Sequence, residues 1–241
     1  MKSRWWIYVA VMVLAACRIS EKKEEPQDNA SLGIKTETER REINFAKVHE
    51  MKALIQNGDL ILRTGTDFSS EQVKGFSKKD QTYSHGGIAV LDSGEVYVYH
   101  VEPDFMHIND KVRKEKLDSF CNPAHNTGFA HARYNLDSTE KQALLKYLDK
   151  QYQKRIPFDM GLHLRSDDSM YCSEMIGKGL ALATKKRITI QTEKFDDPTK
   201  FRVIRQRLKW KDKDFAGRDF VPIDNLFLNP NCTVIKRYVF E

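Results

Sequence analysis

Two short segments of this chain carry residue types that do acyl-transfer chemistry. In Tyr83-Ser84-His85-Gly86-Gly87-Ile88, an imidazole sits beside two glycines that leave its surroundings open to a substrate. In Ser169-Met170-Tyr171-Cys172-Ser173-Glu174, a thiol falls near the start of an apolar helical pattern. With Ser169 as N-cap, Cys172 takes the third position of a helix predicted over 170–183, where the positive end of the dipole favours thiolate. A nearby imidazolium favours it further, and amide groups at the helix start can hold an oxyanion. Alone, a cysteine of this kind is more often a small buried residue, and a lone strand histidine is more often structural. Together they point to a Cys/His hydrolase.

The elements that must position them follow from hydrophobic period and turn residues. His85 to Val90 and Glu95 to Val101 read as strands joined by Leu91-Asp92-Ser93-Gly94. If Val90 pairs with Glu95 across a four-residue link, His85 faces His100. If Ser93-Gly94 makes a two-residue turn, His85 faces Glu102 instead. Either partner can accept the ring N–H and fix the tautomer. Upstream, Thr36 with Glu39 opens a helix bearing Phe45, Val48, Met51 and Ile55, which Gly58 stops, and Asp59 to Arg63 reads as a strand. Asp137 with Glu140 caps a second helix striped by Leu144, Leu145 and Leu148, and Thr233 to Phe240 reads as a final strand. No internal repeat is present, and the reading is one α+β domain over 42–241. Cys121 and Cys232 lack a helix terminus; they are weaker nucleophile candidates and could pair with each other. No CxxC spacing suggests structural zinc.

The 241 residues are 40% hydrophobic and 31% charged, enough for one sizeable core and too apolar for a disordered chain. The net charge of +6 comes without a long basic block or an aromatic-basic pattern, which argues against nucleic acid as a partner. Behind Lys2 and Arg4, the apolar run Trp5 to Ala16 is too short to span a membrane and reads as a signal segment over 1–16. It ends in Leu14-Ala15-Ala16-Cys17, similar to a bacterial lipobox. The expectation is therefore an exported protein, lipid-anchored to a membrane at Cys17 and held off it by a polar tether over 17–41. Arg18 in place of an inner-membrane retention Asp points to the outer membrane, with the domain facing the periplasm or the cell surface.

In order along the chain come Asn57-Gly58-Asp59-Leu60-Ile61, the His85 segment, Pro157-Phe158-Asp159, then Asp167-Asp168-Ser169-Met170-Tyr171-Cys172-Ser173-Glu174, and late Val221-Pro222-Ile223-Asp224-Asn225-Leu226. This set resembles the YiiX/YebB-like branch of the NlpC superfamily of papain-like cysteine hydrolases over about residues 57–228. The resemblance implies a circularly permuted papain-like fold, an antiparallel sheet or barrel packed on helices, with the His strand preceding the Cys helix. It implies Cys172 as nucleophile, His85 as general base and a polar third member at His100, which goes with the register facing His85 to His100; Glu102 is the fallback. Tyr83, Phe158, Asp159 and Tyr171 fall in the substrate-binding part of the motifs, Phe158 standing where relatives have Tyr. No metal and no organic cofactor is implied. The expected activity is that of a cysteine peptidase or amidohydrolase of Cys-His-His type. Its substrates would be cell-envelope amides, such as peptidoglycan stem peptides or related small peptides. The alternatives are a lipid amide or ester hydrolase or acyltransferase of the same fold, like lecithin:retinol acyltransferase relatives, and an inactive envelope-binding module.

Overall fold

The computed structural model describes residues 35–103, 110–195, 206 and 217–241. The signal segment, Cys17, the tether up to residue 34 and the charged stretch Lys209 to Asp214 lie outside the described residues. One compact unit runs from Glu37 to Glu241. Helix α1 (Glu37–Lys52) therefore takes in the last part of what reads in sequence as tether, and it ends short of Ile55.

After α1 come β1 (Leu60–Gly65), α2 (Phe68–Lys74), β2 (His85–Asp92), β3 (Glu95–His100), β4 (Arg113–Lys116), α3 (Leu117–Phe120), β5 (Asn126–Tyr134) and α4 (Ser138–Gln153). Then follow α5 (Cys172–Ala183), the short β6 (Glu193–Lys194) and β7 (Asp219–Phe220), α6 (Asp224–Phe227) and β8 (Cys232–Val239). Six strands form one antiparallel sheet in the order β4-β3-β2-β1-β5-β8. The architecture is α+β, and the sheet is open at β4 and β8 rather than closed into a barrel.

Side-chain alternation along the strands gives the sheet two apolar faces. Ile61, Ala89, Val98 and Phe129 face α1 and α3, meeting Val48, Met51, Leu117 and Phe120. Leu60, Leu62, Ile88, Tyr99 and Ala130 face α4 and α5, meeting Leu144, Leu148, Met175, Ile176 and Leu180. Burying the sheet on both sides explains why β1 reads as a continuous apolar run. Cys121 belongs to the first layer and Cys232 packs against the second; both are free thiols, so the pairing considered from sequence does not form.

The Asn57-Gly58-Asp59 segment is an architectural corner. Gly58 has φ +86°, a left-handed conformation that costs glycine nothing, and Asn57 Oδ1 accepts the N–H of Leu91 at 2.7 Å. Asp59 is fully buried. Its carboxylate takes Arg133 Nε at 2.7 Å, Arg133 Nη2 at 2.8 Å, the His131 ring at 2.7 Å and the Gln56 N–H at 2.7 Å, tying β1 to β5.

Candidate active site

The hairpin that carries both histidines settles the two registers left open by the sequence. Asp92 pairs with Glu95 and Ile88 with Tyr99, closed by Ser93 (φ 51°) and Gly94 (φ 82°). Two consecutive left-handed residues make the two-residue hairpin turn that suits right-handed strand twist. The four-residue link, and with it the register facing His85 directly to His100, is not the one adopted. Carried forward, the adopted register sets His100 beside Gly87. A Cβ on Gly87 would stand 2.4 Å from Val98 Cγ1 and 3.1 Å from His100 Cβ. Because Gly87 has no side chain, the His100 ring reaches diagonally to His85, and His85 Nε2 lies 3.0 Å from His100 Nδ1. Glu102, the fallback partner, is at 3.8 Å from the same nitrogen.

Further residues surround this pair from other elements. Phe120 packs against both imidazoles, tilted to His85 with centroids 5.6 Å apart and edge-on to His100 at 5.0 Å. Arg63, opposite His85 on β1, lies over Phe120, bonds Asn126 Oδ1 at 3.2 Å and pairs with Glu102. Arg113 Nη1 holds the other Glu102 oxygen at 3.0 Å. Glu115 Oε2 lies 3.0 Å from His100 Nε2, off the line a ring N–H would take. A bare lone pair on Nε2 would be repelled by that carboxylate, so the proton belongs on Nε2 and Nδ1 accepts from His85 Nε2–H. Nδ1 of His85 is then the basic nitrogen. A charged residue closing the apolar run Leu60-Ile61-Leu62-Arg63 was the one available signal for Arg63. Glu115 lies inside the charged run Arg113-Lys114-Glu115-Lys116, whose pattern carries no signal of a buried site.

Cys172 is the first residue of α5, not the third. Met170 is drawn out of the helix into a bridge with Phe158: its N–H bonds Pro157 O at 3.0 Å and its carbonyl accepts from Asp159 N at 3.1 Å. Tyr171 replaces Ser169 as N-cap, and its N–H bonds Glu174 Oε2 at 3.3 Å. The backbone N–H groups of Gly86 and Ser173 favour the Cys172 thiolate. Burial nevertheless outweighs them and pushes the thiol up to about 11, the reverse of the thiolate expected from the helix dipole. Burial, then the positive charge of Arg63, holds His85 well below its ordinary value. Both partners are neutral at neutral pH.

His85 lines two adjoining cavities. One is a chamber of about 410 Å³ whose wall includes Arg63, Glu102, Glu115, His125 and Asn126. The other is a pocket of about 90 Å³, which Cys172 also lines, walled by Phe76, Phe158, Leu162, Phe220 and Ile223. Tyr171 joins that second wall, its hydroxyl accepting the Val221 N–H at 2.7 Å. Tyr83 and Asp159 line neither cavity. Tyr83 is buried edge-on against Phe227 with its hydroxyl 3.3 Å from Arg237. Asp159 braces its own loop by accepting the N–H groups of Gly161 and His163.

His85, His100 and Glu102 also place one donor atom each within 4.8 Å of one another, the one such grouping among the described residues that could bracket a metal ion.

Sheet order and helix placement together define a YiiX-like α+β fold. The similarity is to a crystal structure described as the metalloprotein YiiX from Escherichia coli, at 20% sequence identity with a TM-score of 0.62, covering 76% of this chain and 97% of that one. No family model matches the chain, and no curated protein matches it.

Proposed function

We propose that this chain is a thiol-dependent acyl hydrolase of the papain-like, NlpC-type class, with Cys172 as nucleophile, His85 as general base and His100 as the residue that orients it. The observation that carries the reading is that Cys172 and His85 wall the same pocket while the far nitrogen of His85 is engaged by His100 at 3.0 Å. Such an arrangement leaves one imidazole nitrogen for the thiol and fixes the tautomer through the other.

Because thiol and imidazole start neutral, the proton moves as the bond forms. The S–H proton passes to His85 Nδ1 while sulfur adds to the carbonyl carbon of an amide or ester. N–H groups at the start of α5 stabilise the oxyanion. The C–N or C–O bond then breaks as His85 returns the proton to the leaving group. Water, deprotonated by His85, adds to the thioester; the acid departs and the thiol is restored. Cell-envelope peptides and acylated small molecules are both substrates of this chemistry. Export and lipid anchoring at Cys17 belong to the same proposal, and loss of palmitate incorporation in Cys17→Ser tests them.

The name of the YiiX structure raises a metal reading. Two imidazoles and a carboxylate are a donor set for zinc or iron. Here, however, Arg63 and Arg113 occupy both Glu102 oxygens, and their charges repel a cation. The residues do not fit a resident metal in this arrangement, and no step runs through one.

The test is mass spectrometry of the intact protein after brief exposure to activated acyl esters, alongside metal analysis. One acyl group on Cys172, absent in Cys172→Ala and strongly reduced in His85→Ala, is expected. No adduct, together with one tightly held metal ion per chain, would overturn the proposal.

A further inference from the structure

Two adjoining cavities share His85, one almost wholly apolar and one walled by several charged and polar side chains, and only the apolar one is lined by the nucleophile. Ser69, Val73, Ser84, His85 and Pro103 line both. Cys172 lines the narrow pocket alone, among Phe76, Phe158, Leu162, Phe220 and Ile223. The wide chamber, which His85 also lines, is faced by Asp67, Arg63, Glu102, Glu115, His125 and Asn126.

The order of bonds in the reaction orients a substrate across this boundary. Sulfur attaches to the carbonyl carbon, so the acyl portion stays on the Cys172 side through the thioester stage. The leaving group receives its proton from the same His85 nitrogen, so it lies beside that ring and outside the acyl pocket, where the second cavity adjoins it. From this, and resting on the thiol chemistry proposed above, we infer that the enzyme takes substrates with a short apolar acyl group and a polar leaving group. The acyl group lies in the pocket of Phe76, Phe158, Leu162, Phe220 and Ile223; the leaving group lies in the chamber of Arg63, Glu102 and Asn126. A charged or amide-rich acyl portion, such as a glutamyl residue of a stem peptide, would lose its hydration against phenyl and aliphatic walls without a partner there. An alkyl chain has no polar hydration to give up and gains from leaving water.

The products follow by balance: water and the acylated compound give a short fatty or apolar acid and a free polar amine or alcohol, with Cys172 and His85 returned to their starting protonation.

The experiment is a series of p-nitrophenyl esters on the full chain: acetyl, butyryl, hexanoyl, dodecanoyl and succinyl. Release of nitrophenol and the mass added to Cys172 are followed together. Butyryl or hexanoyl is expected to exceed acetyl by at least about tenfold in kcat/KM, and succinyl by about 100-fold, a range that apolar pockets achieve per few methylenes. Dodecanoyl should fall again, because the pocket is narrow. Phe158→Ala, which opens one wall, should move the optimum to a longer chain. An adduct on Cys172 formed as readily from succinyl as from butyryl overturns the acyl assignment and leaves the thiol chemistry standing. No adduct from any ester overturns both.

Discussion

His85 and His100 touch through the space left by a missing side chain. Their ring nitrogens lie 3.0 Å apart, yet the residue beside His100 in the hairpin is Gly87, where a Cβ would fall 2.8 Å from the Tyr99 carbonyl and 3.1 Å from His100 Cβ. Gly87→Ala therefore has to push β3 away or turn the His100 ring. The expected result is a folded protein, less stable by about 1–3 kcal/mol, whose acylation of Cys172 slows by about 100-fold or more, the scale of a misplaced general base. Unchanged acylation in this variant would show that the contact between the two rings is not needed.

The Cys172 thiol is expected to behave as a suppressed nucleophile in the resting protein. Burial raises its pKa to about 11, while a free thiol titrates near ~8.5. Iodoacetamide labelling at pH 7 should be slower than for free cysteine, with its midpoint displaced upward. Since His85 is held neutral, it lends no charge to a thiolate, and His85→Ala should move the midpoint by less than about one unit. A midpoint below that of free cysteine that climbs in His85→Ala would mean a standing ion pair instead.

Glu174 should make stability fall as pH rises. Burial lifts its carboxyl to about 7 against the pull of Lys178, whose Nζ is 2.9 Å away. The folded state thus holds this proton more tightly than the unfolded chain, so the native state is favoured below the ordinary carboxylate value and loses ground between there and pH 7. Glu174→Gln mimics the protonated form, and Lys178 keeps Asp167 at 2.8 Å. Denaturant titrations should agree for the two proteins at pH 4 and favour the variant by about 1–3 kcal/mol at pH 8. A variant weaker at pH 8 would contradict this.

Asp59 contributes in the opposite sense. Burial would raise its pKa, but Arg133, His131 and the Gln56 N–H overbalance that and hold it low. Its stabilisation is present above the ordinary carboxylate pKa and disappears as pH falls through the lowered value. Asp59→Asn leaves Arg133 and His131 with a neutral partner and should cost about 3–5 kcal/mol at pH 7. The gap from wild type should close in acid, and Cys172 labelling should stay as it was. A change in labelling would mean that this corner reaches the site.

Much of the scaffold was legible because periodicity and capping are local. The Asp137–Glu140 capping box, the Leu144 and Leu148 stripe, the β2–β3 hairpin and the final strand stand where period and turn residues put them. Local rules also brought His85, His100 and Cys172 into view. What they could not supply was non-local. Ser169 looked like a cap because nothing in its neighbourhood says that Met170 bridges to Phe158. The helix start suggested a thiolate because the dipole is a local property, whereas burial beneath a pocket wall built from residues 220–223 is not. Arg63, Glu115 and Phe120 gather around the histidines from three separate elements, and no spacing announces that.

Asn44 in α1 and Glu241 at the end of the chain exchange hydrogen bonds, side-chain Nδ2 to the Glu241 carbonyl at 3.3 Å and Glu241 N–H to Oδ1 at 3.0 Å, with Lys47 alongside at 3.7 Å. Both ends of the folded unit are stitched to one another on the α1 layer, remote in sequence from the histidine hairpin and the cysteine helix. From α1 to β8 the folded unit is nearly a closed ring. A short linker across that seam would let the ring be cut at an exposed turn elsewhere, giving a re-ordered sequence that still threads the same sheet. Pulling on β8 would load the edge of the sheet first, and along the strands strain would have to cross β5 and β1 before it reached His85.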